Sequence, residues 1–194
     1  MPAEHPERNE HIPNKEKPPF LYHGSAHGDI SELEPRAEGV RDPNEGPVVF
    51  ATQELALATI FMADGVVESG KFDSTPYAVI NGSRENFIKN DKGGHVYIVP
   101  SDSFQNDPTK GLGEYEWTRR EKVTADRVIQ YASVLKAMLQ NGIQVYFVDT
   151  QTHQKMKASD DHGLSILQKL ESENQRTGIN AQPLSDSENA KTTQ

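Results

Sequence analysis

Leu-Tyr-His-Gly-Ser at residues 21–25 is the stretch on which the interpretation of this chain depends. An aliphatic and aromatic pair predicts a short strand, and this strand ends in a titratable ring beside a glycine. Because glycine has no Cβ, a planar ligand can approach the backbone N–H and C=O of Gly24 closely. His-Gly-Ser is a weak signal by itself, so its meaning depends on the segments that follow it.

Composition limits the classes of protein to which the chain can belong. Its 194 residues suit one domain with flexible ends. The formal net charge of -9 argues against a protein that coats nucleic acid or anionic membranes. The sequence contains no cysteine, which excludes disulfides, thiol catalysis and thiolate zinc sites. No apolar run approaches the roughly 18–20 residues of a membrane span, so we expect no membrane partner.

The distribution of apolar residues divides the chain into three parts. Residues 1–18 and 173–194 are polar and poor in aliphatic side chains, which predicts a disordered arm and a disordered tail. Residues 19–172 form the predicted domain. Within it, predicted strands outnumber predicted helices and mostly follow one another. This order indicates an α+β fold with mixed or antiparallel sheets.

Local patterns place the elements of this domain. Runs rich in β-branched and aromatic residues predict strands at 20–25, 48–51, 77–81, 87–88, 95–100, 114–118, 128–132 and 143–148. Good helix formers predict helices at 53–64, 134–140 and 164–170. We expect Thr52 to cap the first helix, because its side chain can accept from N–H groups of the first turn. Gly65 is expected to end that helix.

Four segments, in this order, resemble the ADP-ribosyltransferase superfamily. They are LYHGS at 21–25, VVFAT followed by ELALATIF within 48–61, HVYIVP at 95–100 and GEYEWTRREKV at 113–123. The similarity is to the branch that includes poly(ADP-ribose) polymerases, diphtheria-like toxins and tRNA 2'-phosphotransferases. In that branch the first strand ends in His-Gly-Ser or His-Gly-Thr, the second reads aromatic-Phe-Ala, and a late strand carries a glutamate. The resemblance implies two packed sheets around a cleft, with peripheral helices.

The resemblance also implies how matched residues would bind NAD, which is a substrate of this family. His23 would hydrogen-bond the adenosine ribose, and the Gly24 backbone would hold the nicotinamide carboxamide. Ser25 would contact ribose or phosphate. Phe50 and Ala51 would lie under the nicotinamide. These residues would orient NAD for attack at its ribose.

Two glutamates of the late segment are candidates for the catalytic carboxylate. The polymerase-like pattern aligns Glu114 with it, whereas the Glu-X-Glu pattern of arginine-modifying ADP-ribosyltransferases favours Glu116. The residues themselves suit this chemistry, because breaking the nicotinamide–ribose bond develops oxocarbenium character that a carboxylate stabilises. On a strand, residues two apart point to the same face. We therefore expect the two carboxylates to repel each other, which raises the pKa of one of them.

The chain departs from the family at the aromatic platform for nicotinamide. NAD-using polymerases carry rings at the positions of Val49 and Ile60. The missing ring would have to come from Phe50, Phe61 or Tyr22.

From the resemblance as a whole we predict transfer of ADP-ribose from NAD to a macromolecular acceptor, either protein or nucleic acid. Two alternatives stay open: a catalytically inactive binding module of the same fold, and an activity like that of RNA 2'-phosphotransferases.

Other features favour ordinary structural roles. His23 and His27 have a His-X3-His spacing that suits a metal on a helix, but the intervening Gly-Ser-Ala and the strand context argue against a metal site. Arg119, Arg120 and Lys122 are typical of a solvated face, although they can also meet a phosphate-rich substrate. The polar N-terminus shows no signal peptide. We expect a cytoplasmic monomer, with secretion as an effector as the alternative.

Overall fold

A computed structural model describes residues 17–37, 46–72, 75–109, 113–159, 161 and 163–177. Strands of this part of the chain are β1 Phe20–Ser25, β2 Val49–Thr52, β3 Val66–Phe72, β4 Thr75–Asn81, β5 Gly94–Pro100, β6 Glu116–Arg119, β7 Arg127–Tyr131 and β8 Gln144–Val148. Its α-helices are α1 Leu55–Ile60, α2 Arg84–Asn90, α3 Val134–Gln140, α4 Thr150–Lys157 and α5 Leu164–Thr177. A 3-10 turn at Gly113–Tyr115 precedes β6.

The strands form two sheets. The larger sheet has five strands in the order β6-β2-β1-β5-β7, and every neighbouring pair in it is antiparallel. The smaller sheet has the order β3-β4-β8, in which β3 and β4 are antiparallel while β4 and β8 are parallel. The predicted α+β class with two sheets is therefore confirmed.

Side chains alternate between the two faces of the five-stranded sheet. One face, here called the helix-packed face, carries Tyr22 and Val96 into a cluster with α1, α3 and the smaller sheet. The opposite, loop-covered face carries Leu21, Val49 and Tyr97, which pack with apolar residues from the connecting segments. A third cluster lies between the smaller sheet and the last two helices. The five-stranded sheet is thus buried on both faces, by different kinds of structure.

Three local predictions outside the segment of Glu114 and Glu116 were wrong, and local hydrogen bonding explains two of them. The strand predicted at 87–88 is part of α2, whose N-terminus is capped by Ser83 Oγ accepting from Asn86 N–H at 3.2 Å. Thr52 does not cap α1, because its hydroxyl accepts from Glu54 N–H, before the helix begins. The helix itself ends at Ile60 rather than near Gly65, since the chain must turn before β3.

The structure describes residues on both sides of each predicted domain boundary. Residues 1–16 and 178–194, which make up most of the predicted arm and tail, lie outside them. At the first boundary, Lys17 Nζ donates to the carbonyls of Asp102 and Phe104, each at 2.8 Å. At the second, α5 continues to Thr177, beyond the predicted end of the domain. None of the helices in the described ranges is long and apolar enough to cross a membrane.

Candidate functional site

β1 and β2 separate where His23 lies. Their ladder consists of one register pair, Tyr22 opposite Thr52, whereas β1 pairs with β5 along its whole length. Beyond that pair, His23 Nδ1 donates to the Phe50 carbonyl at 2.7 Å. A carbonyl oxygen only accepts, so Nδ1 carries the proton and Nε2 of the neutral ring is an acceptor. A side-chain hydrogen bond thus holds the two strands together at this point and fixes the tautomer of His23.

The separation opens a cavity of about 110 Å³, here called the His23 cleft. Its polar lining residues are His23, Ser25, Glu34 and Arg36, and its apolar lining residues are Ile30, Leu33, Val48, Val49 and Phe50. Small-molecule sites typically have volumes of about 300–1,000 Å³. The enclosed part of the His23 cleft therefore suits one ring or one sugar of a ligand, with the remainder outside it.

Residues 30–36 form one wall of the His23 cleft, and backbone hydrogen bonds hold this wall in place. Leu33 exchanges hydrogen bonds with Val123 at 2.9 and 3.1 Å, and Arg36 does so with Val48 at 3.0 and 3.1 Å. Backbone pairs of this kind position a loop without regular secondary structure. The wall thereby places the Arg36 guanidinium beside His23. Sequence reasoning could not place Arg36 or Glu34 in the site, because neither lies in a periodic element or a motif.

The electrostatic environment keeps the His23 ring neutral. Burial lowers the pKa of His23 below its usual value, the hydrogen bond to the Phe50 carbonyl opposes this, and the nearby Arg36 charge lowers the pKa further. At neutral pH the ring is therefore unprotonated at Nε2. Such a ring can accept a hydrogen bond from a hydroxyl or an N–H of a ligand.

Gly24 has a structural reason to lack a side chain. A Cβ at this position would lie 1.9 Å from the Ala58 carbonyl oxygen in α1. The close approach of α1 to β1 thus requires glycine on the helix-packed face. This contact explains the glycine without a ligand, and contact between its backbone and a nicotinamide stays a prediction.

The other predicted binding residues are divided between the two faces of the sheet. Ser25 and Phe50 line the His23 cleft together with His23. Tyr22 packs into the cluster on the helix-packed face. Ala51 is buried in the cluster on the loop-covered face. The structure therefore brings together three of the six predicted binding residues, and it places Tyr22 and Ala51 in the core.

The prediction that both glutamates lie on one strand face is wrong. Glu114 is exposed and lies in the 3-10 turn, so only Glu116 belongs to a strand, as the first residue of β6. The reason is Asn106, whose Nδ2 donates to the carbonyls of Gly113 and Glu116 at 3.0 and 2.5 Å. These bonds hold the turn that replaces the first part of the predicted strand.

Register places Glu116 and His23 on opposite faces of the sheet. Glu116 is opposite Thr52, which in turn is opposite Tyr22, so Glu116 belongs to the helix-packed face. His23, next in sequence to Tyr22, belongs to the loop-covered face. Because neighbouring strands lie about 4.8 Å apart, the backbones of β6 and β1 are separated by about 10 Å. The split between β1 and β2 lies between them.

Lys71 organises the helix-packed side of this region. Its Nζ lies 2.8 Å from Glu54 Oε1 and 3.6 Å from the centre of the Tyr115 ring. An ammonium over an aromatic face is a cation–π contact. Lys71 therefore joins β3, the start of α1 and the turn that precedes Glu116.

Comparisons with known proteins found no match: no protein-family model, curated protein or solved structure matches this chain. Within the described ranges, no group of three or more His, Asp or Glu residues could hold a metal ion.

Proposed function

We propose that this protein is ADP-ribosyltransferase-like, that it binds NAD at the His23 cleft, and that it transfers the ADP-ribose to an acceptor. The observation that carries this proposal is the strand order β6-β2-β1. The His-Gly-Ser strand, the Val-Phe-Ala-Thr strand and the strand that begins at Glu116 are immediate neighbours, although they are far apart in the sequence. These are three of the segments on which the resemblance depends.

The residues of the His23 cleft suit one end of a dinucleotide. His23 Nε2 would accept a hydrogen bond from a ribose hydroxyl, as a neutral imidazole can. The Arg36 guanidinium would pair with a phosphate, and Ser25 would contact ribose or phosphate. Apolar residues of the cleft offer a surface for the sugar or the ring. Together these groups provide one acceptor, one cation and one hydroxyl.

The reaction would break the bond between ribose C1' and the nicotinamide nitrogen. The bonding electron pair would go to that nitrogen. The nicotinamide would therefore leave as a neutral molecule, and positive charge would develop on the ribose. An acceptor hydroxyl or amine would form the new bond to C1' and release its proton to solvent. Glu116 would stabilise the oxocarbenium character of C1'. We assign this role to Glu116 because β6 holds its backbone, whereas Glu114 lies on an exposed turn. Since Glu116 and His23 lie on opposite faces of the sheet, this role requires the ribose to lie in the split between β1 and β2.

Nicotinamide release from NAD tests the transferase proposal. We expect activity in the unmodified protein and a loss of at least about a hundredfold in Glu116→Gln, because removing one transition-state contact typically costs this much. Glu114→Gln and the matched control Glu85→Gln, in exposed α2, should retain activity. Activity lost in Glu114→Gln but kept in Glu116→Gln would transfer the role to Glu114. No binding of NAD at millimolar concentration would overturn the whole proposal.

A second candidate function is binding without turnover. The placement of Glu116 and His23 on opposite faces favours it, as does the absence of aromatic residues at positions 49 and 60. Such a module would bind ADP-ribose and NAD through the His23 cleft and would leave the nicotinamide bond intact. Tight binding of ADP-ribose without any nicotinamide release would support this candidate, and measurable NAD cleavage would exclude it.

A further inference from the structure

A larger cavity of about 650 Å³ lies next to the His23 cleft. It is bounded by the end of β6 and by residues 103–108, and Val48 lines both cavities. Its volume falls within the usual range of small-molecule sites. The polar lining residues that matter most for recognition are Gln105, Asn106, Asp107, Arg119, Arg120 and Glu121.

Arg119 is the main reason to expect an anionic ligand there. Its side chain is 20% exposed, and its buried Nε has no hydrogen-bond acceptor among the residues that the structure describes. The Glu121 carboxylate approaches Nε to 3.6 Å, but this side chain is 72% exposed. Solvent weakens such a pair, so an incoming anion can displace it. A buried guanidinium N–H without an acceptor is costly, and a bound phosphate oxygen would satisfy it.

The neighbouring residues specify the chemistry further. Arg120 is the next residue and lines the same cavity, so two guanidinium groups are available to one phosphate. Asp107 Oδ1 already accepts from the backbone and hydroxyl of Thr109, at 3.0 and 2.6 Å. That oxygen is therefore engaged within its own turn. The cavity therefore has two guanidinium groups and two carboxylates, together with amide and hydroxyl groups. Because one Asp107 oxygen is held in its own turn and the Glu121 carboxylate is largely in solvent, the guanidinium groups are the ones available to a phosphate attached to a polar body.

The charge of the whole chain limits the size of the ligand. A net charge of -9 repels a long polyanion such as nucleic acid. A small molecule with one phosphate group carries far less charge, so the net charge of the chain repels it less, and within the cavity the two arginines offset the carboxylates of Asp107 and Glu121.

We infer that this cavity binds a small phosphorylated molecule, with Arg119 and Arg120 contacting its phosphate. The wall shared at Val48 would place that molecule beside the ligand of the His23 cleft. Its role as the acceptor rests on the proposed function. In that role one of its hydroxyl oxygens would bond to C1' as the nicotinamide bond breaks, with the hydroxyl proton released to solvent. It would replace the macromolecular acceptor predicted from the sequence.

Calorimetric titration of the full chain with glucose 6-phosphate, and with glucose for comparison, tests this inference. We expect saturable binding of glucose 6-phosphate and at least tenfold weaker binding of glucose. Arg120→Gln and Arg119→Gln should each weaken the binding of glucose 6-phosphate about tenfold. Arg119→Lys keeps the charge but loses the planar guanidinium group. Its affinity for glucose 6-phosphate should therefore lie between that of these variants and that of the unmodified protein.

The matched control is Arg127→Gln, because Arg127 is exposed on β7, at the opposite edge of the same sheet. It should not alter the affinity. Arg120 is exposed, so Arg120→Gln keeps the test valid even if the replacement of Arg119 impairs folding. Equal binding of glucose and glucose 6-phosphate would overturn the inference, as would an equal loss in Arg127→Gln. Tighter binding of a 5'-phosphorylated trinucleotide or of a phosphoserine peptide would overturn the assignment to a small molecule.

The two proposals can fail separately. Titration of ADP-ribose into the unmodified protein and into His23→Gln reports on the His23 cleft alone. Binding of glucose 6-phosphate without any binding of ADP-ribose would support the phosphate site and contradict the proposed function. Binding of ADP-ribose without any binding of glucose 6-phosphate would contradict the phosphate site and leave the proposed function supported.

Discussion

The two faces of the five-stranded sheet differ in what covers them, although the same strands supply both. The helix-packed face meets α1 and α3 through a large apolar cluster, and Gly24 allows the helix to approach. The loop-covered face meets irregular segments, and its two cavities are lined by His23, Arg36 and Arg119. Rigid packing on one face thus supports polar groups presented on the other, as is typical of binding sites built on a scaffold.

Among the variants that test this difference between the faces, Gly24→Ala should have the largest effect on the free energy of unfolding. The new Cβ would lie 1.9 Å from the Ala58 carbonyl oxygen, so α1 must move away from β1. We expect a loss of about 3 kcal/mol in the free energy of unfolding, measured with urea. The control Gly142→Ala, with φ of 78° and open space around it, should cost about 1 kcal/mol. Equal losses in the two variants would show that α1 does not constrain Gly24.

Asp91→Ala should have the second-largest effect, again through the helix-packed face. The Asp91 carboxylate accepts from the backbone of Val134 and Leu135, at 2.9 and 3.1 Å, and from the Ser133 hydroxyl at 2.7 Å. Asp91 thus supports the N-terminus of α3, whose N-cap residue is Ser133, and it also accepts from Gly93 N–H at 2.9 Å. Its removal should cost about 2 kcal/mol in urea unfolding. Asp149→Ala, which removes the exposed cap of α4, should cost less. The reverse order would contradict the importance assigned to α3.

Lys71→Met tests the link between the helix-packed face and the turn before Glu116. The substitution removes the ion pair with Glu54 and the cation–π contact with Tyr115, while it keeps much of the apolar stem. We expect a loss of about 1 kcal/mol. Part of this loss should disappear at high salt, because ion pairs are screened. A loss that does not depend on salt would assign the effect to packing alone.

The pH dependence of stability provides the smallest effect and concerns the loop-covered face. Burial lowers the pKa of His23 in the folded protein below its value in the unfolded chain. Between these two values the unfolded state binds more protons, so stability rises with pH. As the pH falls from 7 through 6.5 and below, the unmodified protein should lose stability relative to His23→Gln. If the free energies of unfolding of the two proteins changed with pH in the same way, the result would contradict a buried, neutral His23 ring.

The elements predicted best from the sequence are those with strong local signals. β1, β5 and β8 lie close to their predicted positions, because runs of β-branched and aromatic residues favour strands in any context. β3 could not be assigned from its sequence, since Gly70 and two charged residues interrupt the apolar pattern. Pairing with β4, a contact that the local sequence does not encode, makes it a strand.

The candidate site could be predicted only in part. His23 was found because it ends a strand beside Gly24, and a sequence shows which residues of one strand share a face. A sequence does not show how separate strands are registered, and a shift of one residue exchanges the faces. The opposite placement of Glu116 and His23 follows from such register. Arg36 could not be placed at the cleft from the sequence, because backbone pairs with Val48, not a motif, bring it there.

The central claim is that His23 presents a neutral Nε2 acceptor to a nucleotide in the cleft. Nitrogen NMR of the histidine rings, with ADP-ribose added to saturation, tests it most directly, and His23→Gln identifies the signal among the seven histidines of the chain. The account predicts a His23 ring protonated at Nδ1 before addition. On addition, the Nε2 resonance should shift while Nδ1 stays close to its position. A His23 ring protonated at Nε2, or signals that ADP-ribose leaves unchanged, would contradict the account.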